Sequence, residues 1–403
     1  MPVWWFSCRG PWYFCAVGAK APRFPLRGCY ANASSRSRVI LLESGDIFRN
    51  LAFEACLYVD NARFASRQGG SSPHPTDVLL WRSNPCVVIG RFQNAWQEVN
   101  VGLLRQSLWP LARRQSGGGA VFHDPDNLNI SFVQNGRSLD REKCMTFLRD
   151  VLQPLVGKRV VHVGKRYDLW MSGIDGDELK QFKISGSASK LSSKVSYHHC
   201  TLLCNTSLKC LSRVLVPTFK TLKTKATQSV RSEVVNLGLD VEVVQHAIIE
   251  QSLKWIQTDG RPSSIPRIVR IPEGEEALHV DEKKFGRELN QLRSWSWIYG
   301  SSPAFQLSLA EFEPHLIPSN LQLLVERNGR IQSVNCPSPN QIPENSLVTF
   351  LNALSVALQD IECRTHIHGV LDHFCAQWAF QTGELTSEQQ TIVQAVHKAA
   401  DMF

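Results

Sequence analysis

Three segments of the chain bring reactive residue types together at short spacing. The first is Arg113-Arg114-Gln115-Ser116-Gly117-Gly118-Gly119-Ala120-Val121-Phe122-His123-Asp124-Pro125-Asp126-Asn127. Three successive glycines let the backbone approach a ligand closely and take dihedrals closed to other residues. Their free N–H groups can form a nest for an anion or a carbonyl oxygen, and two arginines just upstream add positive charge. No GK[ST] follows and the G-x-G-x-x-G spacing is absent, so this is neither a Walker loop nor a dinucleotide fingerprint. A phosphate- or acyl-binding loop and a glycine-rich hairpin without a ligand both fit the spacing.

The second segment, Phe182-Lys183-Ile184-Ser185-Gly186-Ser187-Ala188-Ser189-Lys190, ends an apolar strand on a lysine beside a tight turn. Such an ammonium can neutralise a phosphate or a developing oxyanion; a solvated strand lysine is the plainer alternative. The third is Tyr197-His198-His199-Cys200-Thr201-Leu202-Leu203-Cys204. Adjacent histidines on a strand point to opposite faces, and the segment does not supply four zinc ligands, so no metal site is expected. Cys200 beside a histidine is a candidate nucleophile, against a structural role in a buried strand.

Alternating elements must hold these segments. Val39–Leu42 reads as a strand, and Asp46 caps a helix whose apolar residues run at helical spacing to Tyr58. Gly69–Pro75 reads as a loop, and Val78–Trp81 and Cys86–Gly90 as buried strands. Ala120–Phe122 and Leu128–Phe132 are strands flanking a turn. The alternation continues to about Ile256, which indicates a mixed α/β domain, and Asp259–Pro272 reads as a loop or linker. Leu321–Arg327, Asn328-Gly329 and Arg330–Val334 form a hairpin signature, and Ser346–Leu358 and Glu388–Ala400 read as helices. The organisation expected is a presequence over 1–38, an α/β domain over 39–305 and a small α+β unit over 306–403.

The chain has 403 residues and a formal charge of +8. The first 42 residues carry six Arg or Lys and no acid, leaving 38 basic against 36 acidic residues beyond them. Scattered Arg in a Ser/Ala-rich, acid-free N-terminus reads as a mitochondrial transit peptide. A secretory signal fits less well, because no charged region precedes the apolar stretch and Arg9 interrupts it. Twelve cysteines spread over this length suit free thiols in a reducing compartment. No run of 18 or more apolar residues occurs, so no membrane span is expected, and the near-neutral body weakens a nucleic-acid partner.

Taken together, the segments resemble the lipoate–protein ligase A family, and most closely its mitochondrial lipoyltransferase branch. The family pattern R-R-x-S-G-G-G-x-V-x-H-D-x-x-N matches Arg113 to Asn127, and K-x-S-G-x-A matches Lys183 to Ala188. His198–Leu203 resembles H-H-G-T-L-L with Cys200 in place of glycine, and the mitochondrial branch carries H-H-C-T-L-L-C. Val87–Asn94 with Trp96 and Glu98, Ser229–Leu237, and Trp295–Gly300 with Pro303 and Phe305 match in family order.

The resemblance implies a biotin/lipoate ligase-like catalytic domain with mixed β-sheets, followed by a small C-terminal α+β domain. It implies an acyltransferase whose substrate is lipoyl-AMP or lipoyl-lysine, with no permanently bound cofactor and magnesium only where ATP is used. Lys183 would be the catalytic residue, contacting the acyl carbonyl and the phosphate. Arg113, Arg114, Ser116, Gly117, Gly118, Gly119, Phe122, Asn127, Arg166, Thr201, Ala226 and Thr227 would bind the lipoyl group or its adenylate. Cys200 is the one motif cysteine suited to a covalent intermediate. The tunnel would bury roughly seven apolar carbons, worth on the order of 5 kcal/mol at about 0.8 kcal/mol each. The implied donor is the glycine cleavage H protein. The implied acceptors are the E2 subunits of the pyruvate, 2-oxoglutarate and branched-chain 2-oxoacid dehydrogenases, in the mitochondrial matrix. An ATP-dependent lipoate–protein ligase and a non-catalytic scaffold for lipoyl domains are the competing readings.

Overall fold

The computed structural model describes residues 38–68, 77–135, 139–175, 178–257, 266–318, 320–335, 345–363 and 367–403. The expected presequence lies outside them except for Arg38, and so does the Gly69–Pro75 loop. Arg38 already belongs to the first strand, where its guanidinium meets Asp77 at 2.6 Å.

In chain order the first elements are β1 (Arg38–Leu42), α1 (Ile47–Gln68), β2 (Asp77–Trp81), β3 (Cys86–Ile89), α2 (Ala95–Glu98), α3 (Val101–Ser107), β4 (Leu111–Arg113), β5 (Val121–His123) and β6 (Asn127–Asn135). Next come α4 (Arg141–Leu152), β7 (Val161–Val163), β8 (Leu169–Asp175), β9 (Glu178–Lys183), β10 (Ser187–Leu191), β11 (Val195–Leu203), α5 (Leu208–Val214), β12 (Lys223–Thr224), α6 (Val241–Gln257) and β13 (Arg267–Ile271). The chain then forms α7 (Glu282–Arg293), α8 (Trp295–Ile298), β14 (Phe305–Ser308), β15 (Gln322–Val325), β16 (Ile331–Asn335), α9 (Asn345–Leu358), α10 (Ile367–Thr382) and α11 (Ser387–Met402).

A six-stranded mixed sheet in the order β10-β11-β6-β2-β1-β13 forms the centre. β1 runs parallel to β2 and β13, and the remaining pairs are antiparallel. Side chains alternate across it as a pleated strand requires. Val39, Leu41, Val78, Leu80, Ile130, Cys200 and Leu202 pack on one face against α4 and α6. Ile40, Leu42, Leu79, Trp81 and Tyr197 pack on the other against α1 and α7. Asp46 caps α1 by accepting the Phe48 N–H at 2.8 Å, as its position before the periodic run predicts, and the helix continues ten residues past Tyr58.

A three-stranded sheet, β4-β3-β5, stands against the α1 side. Its far face joins a core that runs without a break into the C-terminal helices. The expected boundary at 305/306 falls inside β14, and β12 at 223–224 pairs with β14 to start the sheet β12-β14-β15-β16. Trp96 packs within 5.3 Å, ring centre to ring centre, of both Phe305 and Phe403. Residues 36–403 accordingly form one compact unit.

The Asn-Gly hairpin is present. Asn328 and Gly329 both take positive φ, at 76° and 66°, between β15 and β16. The linker expected over 259–272 needs correction, since Arg267–Ile271 is β13 and pairs residue for residue with β1. Pro266 and Pro272 disguise an Ile-Val-Arg-Ile strand. Helix α10 was not expected at all.

Candidate active site

A cavity of about 150 Å³ opens between the six-stranded sheet and the small three-stranded one. Its inner wall is built from Leu51 of α1, Trp81 and Val88, with His123 and Asn129 beside them. The glycine loop, Gly118 to Ala120, covers it, and Arg166, Asp168, Lys183, Ser187 and Val230 surround the outer part.

The glycine loop is held from both sides. Gly118 sits at φ +86°, where a side chain is strained, and a Cβ there would come within 2.9 Å of the Arg114 guanidinium. Arg114 donates to the carbonyls of Gly117 (2.6 Å) and Gly119 (2.8 Å), and its Nε donates to Ser116 Oγ. Ser229 Oγ accepts the Ala120 N–H at 2.8 Å and is itself held by Gln93 at 3.0 Å. Gly117 lies beneath Phe92. Burial lowers the Arg114 pKa to about 10, with Tyr197 and Glu54 opposing.

A buried polar chain supports the same loop. Ser116 Oγ bonds His199 Nε2 at 2.8 Å, and His199 Nδ1 bonds Glu54 Oε1 at 2.9 Å. Burial works against the Glu54 charge, yet His199 and the Ser131 hydroxyl hold its carboxyl below the usual range. Sequence reasoning weighed His199 as a zinc ligand and as the neighbour of a nucleophilic Cys200, and passed over Glu54, whose signal is an acid inside an otherwise apolar helix face.

Lys183, at the end of β9, points its Nζ to Asp168 Oδ2 at 2.8 Å, and Asp168 Oδ1 accepts the Ser187 hydroxyl at 3.2 Å. Asp168 is buried and was also missed; nothing in its spacing separates it from a turn aspartate. Arg166 is exposed on the same turn. Thr201 Oγ1 accepts the Gly186 N–H at 3.0 Å, fixing the turn after Lys183.

Other expected contacts fall elsewhere. Arg113 is fully buried and does not border the cavity. Its guanidinium is spent on the carbonyls of Gly90, Arg91, Gln93, Trp297 and Ile298 and on the Ser302 hydroxyl. Burial lowers its pKa to about 9. Phe122 faces the opposite core beside Trp109, because its neighbours Val121 and His123 take the cavity side of the pleat. Ala226 and Thr227 lie outside the wall, Thr227 bonding the Phe92 carbonyl, and Ser229 and Val230 border the cavity instead. Asn127 is buried one pleat repeat from Asn129, and its side-chain amide has no partner.

Cys200 borders the cavity, but its side chain belongs to the core under α4 and α6. Burial pushes its thiol pKa well up. A buried thiol on the far face is a poor nucleophile for this cavity, which removes the support for a Cys200 covalent intermediate. At the inner end, His123 is driven down to about 3 by burial, with Arg114 and His199 adding to the shift. Both its ring nitrogens and Trp81 Nε1 lack protein partners.

Residues 46–254 match the family described as Lipoyl protein ligase A/B catalytic domain. A mitochondrial lipoyl amidotransferase of Mus musculus is 34% identical over 310 residues, which cover 74% of this chain and 75% of that protein. The Homo sapiens protein of the same description is 33% identical over 305 residues, with the same coverage. A lipoate-protein ligase A of Blochmanniella floridana is 34% identical over 231 residues, 57% of this chain and 65% of its own. Among solved structures, P. falciparum LipL1 in complex with lipoate superposes with a TM-score of 0.51 at 19% identity. That match covers 90% of this chain and 98% of the other, a likeness of fold.

Proposed function

The chain belongs to the lipoyl protein ligase A/B catalytic family, and on that footing we propose that it moves a lipoyl group from the lipoyl-lysine of the glycine cleavage H protein, or from lipoyl-AMP, to a lysine on the lipoyl domains of 2-oxoacid dehydrogenase E2 subunits. It is an enzyme of the lipoyltransferase class, and we assign it to the mitochondrial matrix, in keeping with its mitochondrial relatives.

The observation that carries this reading is the Lys183 ammonium beside a buried, glycine-roofed cavity. An acyl chain laid in that cavity removes apolar surface from water, and its carbonyl then meets Lys183 near the mouth. As an amine attacks, negative charge grows on the carbonyl oxygen, and the fixed ammonium favours that state over the starting one. At the inner end, unpartnered N–H groups of Trp81 and neutral His123 suit the weak acceptor sulfurs of a dithiolane. The exposed Arg166 beside the outer part of the cavity suits the polar end of an adenylate.

Two mixtures test the donor. One holds lipoyl-H protein and an apo E2 lipoyl domain without ATP; the other holds lipoate, ATP, Mg²⁺ and the same acceptor. Intact-mass detection of lipoylated acceptor is expected in the first. Labelling confined to the second overturns the amide-donor reading in favour of an ATP-dependent ligase, and labelling in neither returns the chain to a scaffold.

A further inference from the structure

Exchange of one lysine amide for another has a proton problem that transfer from an adenylate does not share. The incoming nitrogen must lose a proton after it attacks, and the outgoing amine must gain one, whereas AMP leaves as a phosphate anion. Among the described residues that line the cavity, Asp168 is the one carboxylate. The two histidines there are poorly suited: His123 lies at the inner end and is held neutral by burial, down to about 3. His199 is engaged at both nitrogens, by Glu54 and Ser116.

Asp168 is built to keep its place. Its backbone carbonyl accepts the Gly164 N–H at 2.8 Å across a tight turn in which Tyr167 takes φ +60°. Its two oxygens receive Lys183 Nζ at 2.8 Å and Ser187 Oγ at 3.2 Å. An ionised carboxylate offers about four lone-pair sites, so room remains for one more donor beside the lysine that meets the acyl oxygen.

We propose that Asp168 is the proton carrier of amide-to-amide transfer, an inference that rests on the amide-donor reading above. The acceptor lysine attacks as free amine and its nitrogen bonds to the lipoyl carbonyl carbon, while the carbonyl electron pair moves onto an oxygen held by Lys183. The attacking nitrogen, now positively charged, is far more acidic than an alkylammonium, and Asp168 takes its proton. The carbonyl re-forms and the bond to the donor nitrogen breaks. The departing electron pair stays on that nitrogen, which receives the same proton from Asp168. One amide is broken, one is formed, and no proton is gained or lost overall.

The test compares two donors in one set of variants. Acid–base groups contribute about 10²–10⁴ in rate. Asp168→Asn is therefore expected to lose about 10² with lipoyl-AMP, where one proton step is needed. With lipoyl-H protein, where two are needed, it is expected to lose at least tenfold more. Asp168→Glu, which keeps a carboxylate, should hold the donor ratio near that of the unaltered enzyme even if both rates fall. Lys183→Ala, which removes the oxyanion donor together with the ion-pair partner of Asp168, should depress transfer from both donors. Equal losses with the two donors in Asp168→Asn overturn the carrier role and leave Asp168 as a positioning partner of Lys183. An unaltered enzyme inert with lipoyl-H protein overturns the amide-donor reading instead. The proton-accepting half is then read with lipoyl-AMP alone, where an unchanged Asp168→Asn rate refutes it. Far-ultraviolet circular dichroism checks folding of each variant.

Discussion

At the scale of single residues, charge is placed by what surrounds it rather than by how basic a motif looks. Arg113 and Arg114 are adjacent in sequence, yet one ties backbone turns together outside the cavity and the other holds the glycine loop over it. Spacing cannot separate those fates, because both depend on carbonyls from segments far along the chain. Lys183 could be singled out as a lysine before Ser-Gly at a strand end, where a solvated lysine is the plainer reading, and its place beside the cavity came only with the fold. Its partner Asp168 could not be singled out. Glu54 offers a clear test of buried charge. Replacing it by Gln keeps the shape and the hydrogen bonds but removes the charge facing His199, and should cost about 2 kcal/mol at pH 7. A folded-state pKa below the unfolded one stabilises the protein above the unfolded value, near 4.3. That stabilisation is lost as pH falls through the folded value. The gap between Glu54→Gln and the unaltered protein, measured by urea unfolding, should thus be widest near neutrality and shrink on acidification.

At the scale of elements, alternation made much of the fold legible. Strands β2, β3, β5 and β6 and the cap of α1 follow from apolar runs and one well-placed aspartate. What alternation could not supply was which face of a strand meets the cavity. Phe122 and Cys200 were therefore assigned to the site although the pleat turns both away. β13 was hidden because its two bounding prolines make a parallel edge strand look like a linker. The loop between β4 and β5 is tuned to glycine at Gly118 by both its positive φ and the nearness of Arg114. Gly118→Ala should cost about 1–2 kcal/mol, and it should push Arg114 off the carbonyls it holds. The expected signature is a more than tenfold fall in kcat/KM for the lipoyl donor with only a small fall in melting temperature. An unchanged kcat/KM would show that the loop's exact path does not matter to the acyl group.

At the scale of the whole molecule, the expectation of two separable units yields to a shared core. The sheet begun by β12 is completed by β14–β16, and Trp96 meets rings from residues about 200 and 300 positions later. No sequence period marks such a seam, since each half looks like an ordinary amphipathic unit. Phe403 is buried against Trp96, Phe219 and Phe305. Phe403→Ala should therefore cost about 3–5 kcal/mol, and the loss should appear as a single cooperative shift of the whole unfolding curve. Separate unfolding of a C-terminal piece would contradict the continuous core. The place of Phe403 also sets an order in time. While the chain is being made, Trp96 and the far face of the β4-β3-β5 sheet lack their cover until residue 403 has emerged. Contacts of such long sequence separation form late in folding, so the seam at Trp96 is expected to close after the local elements on either side of it have formed.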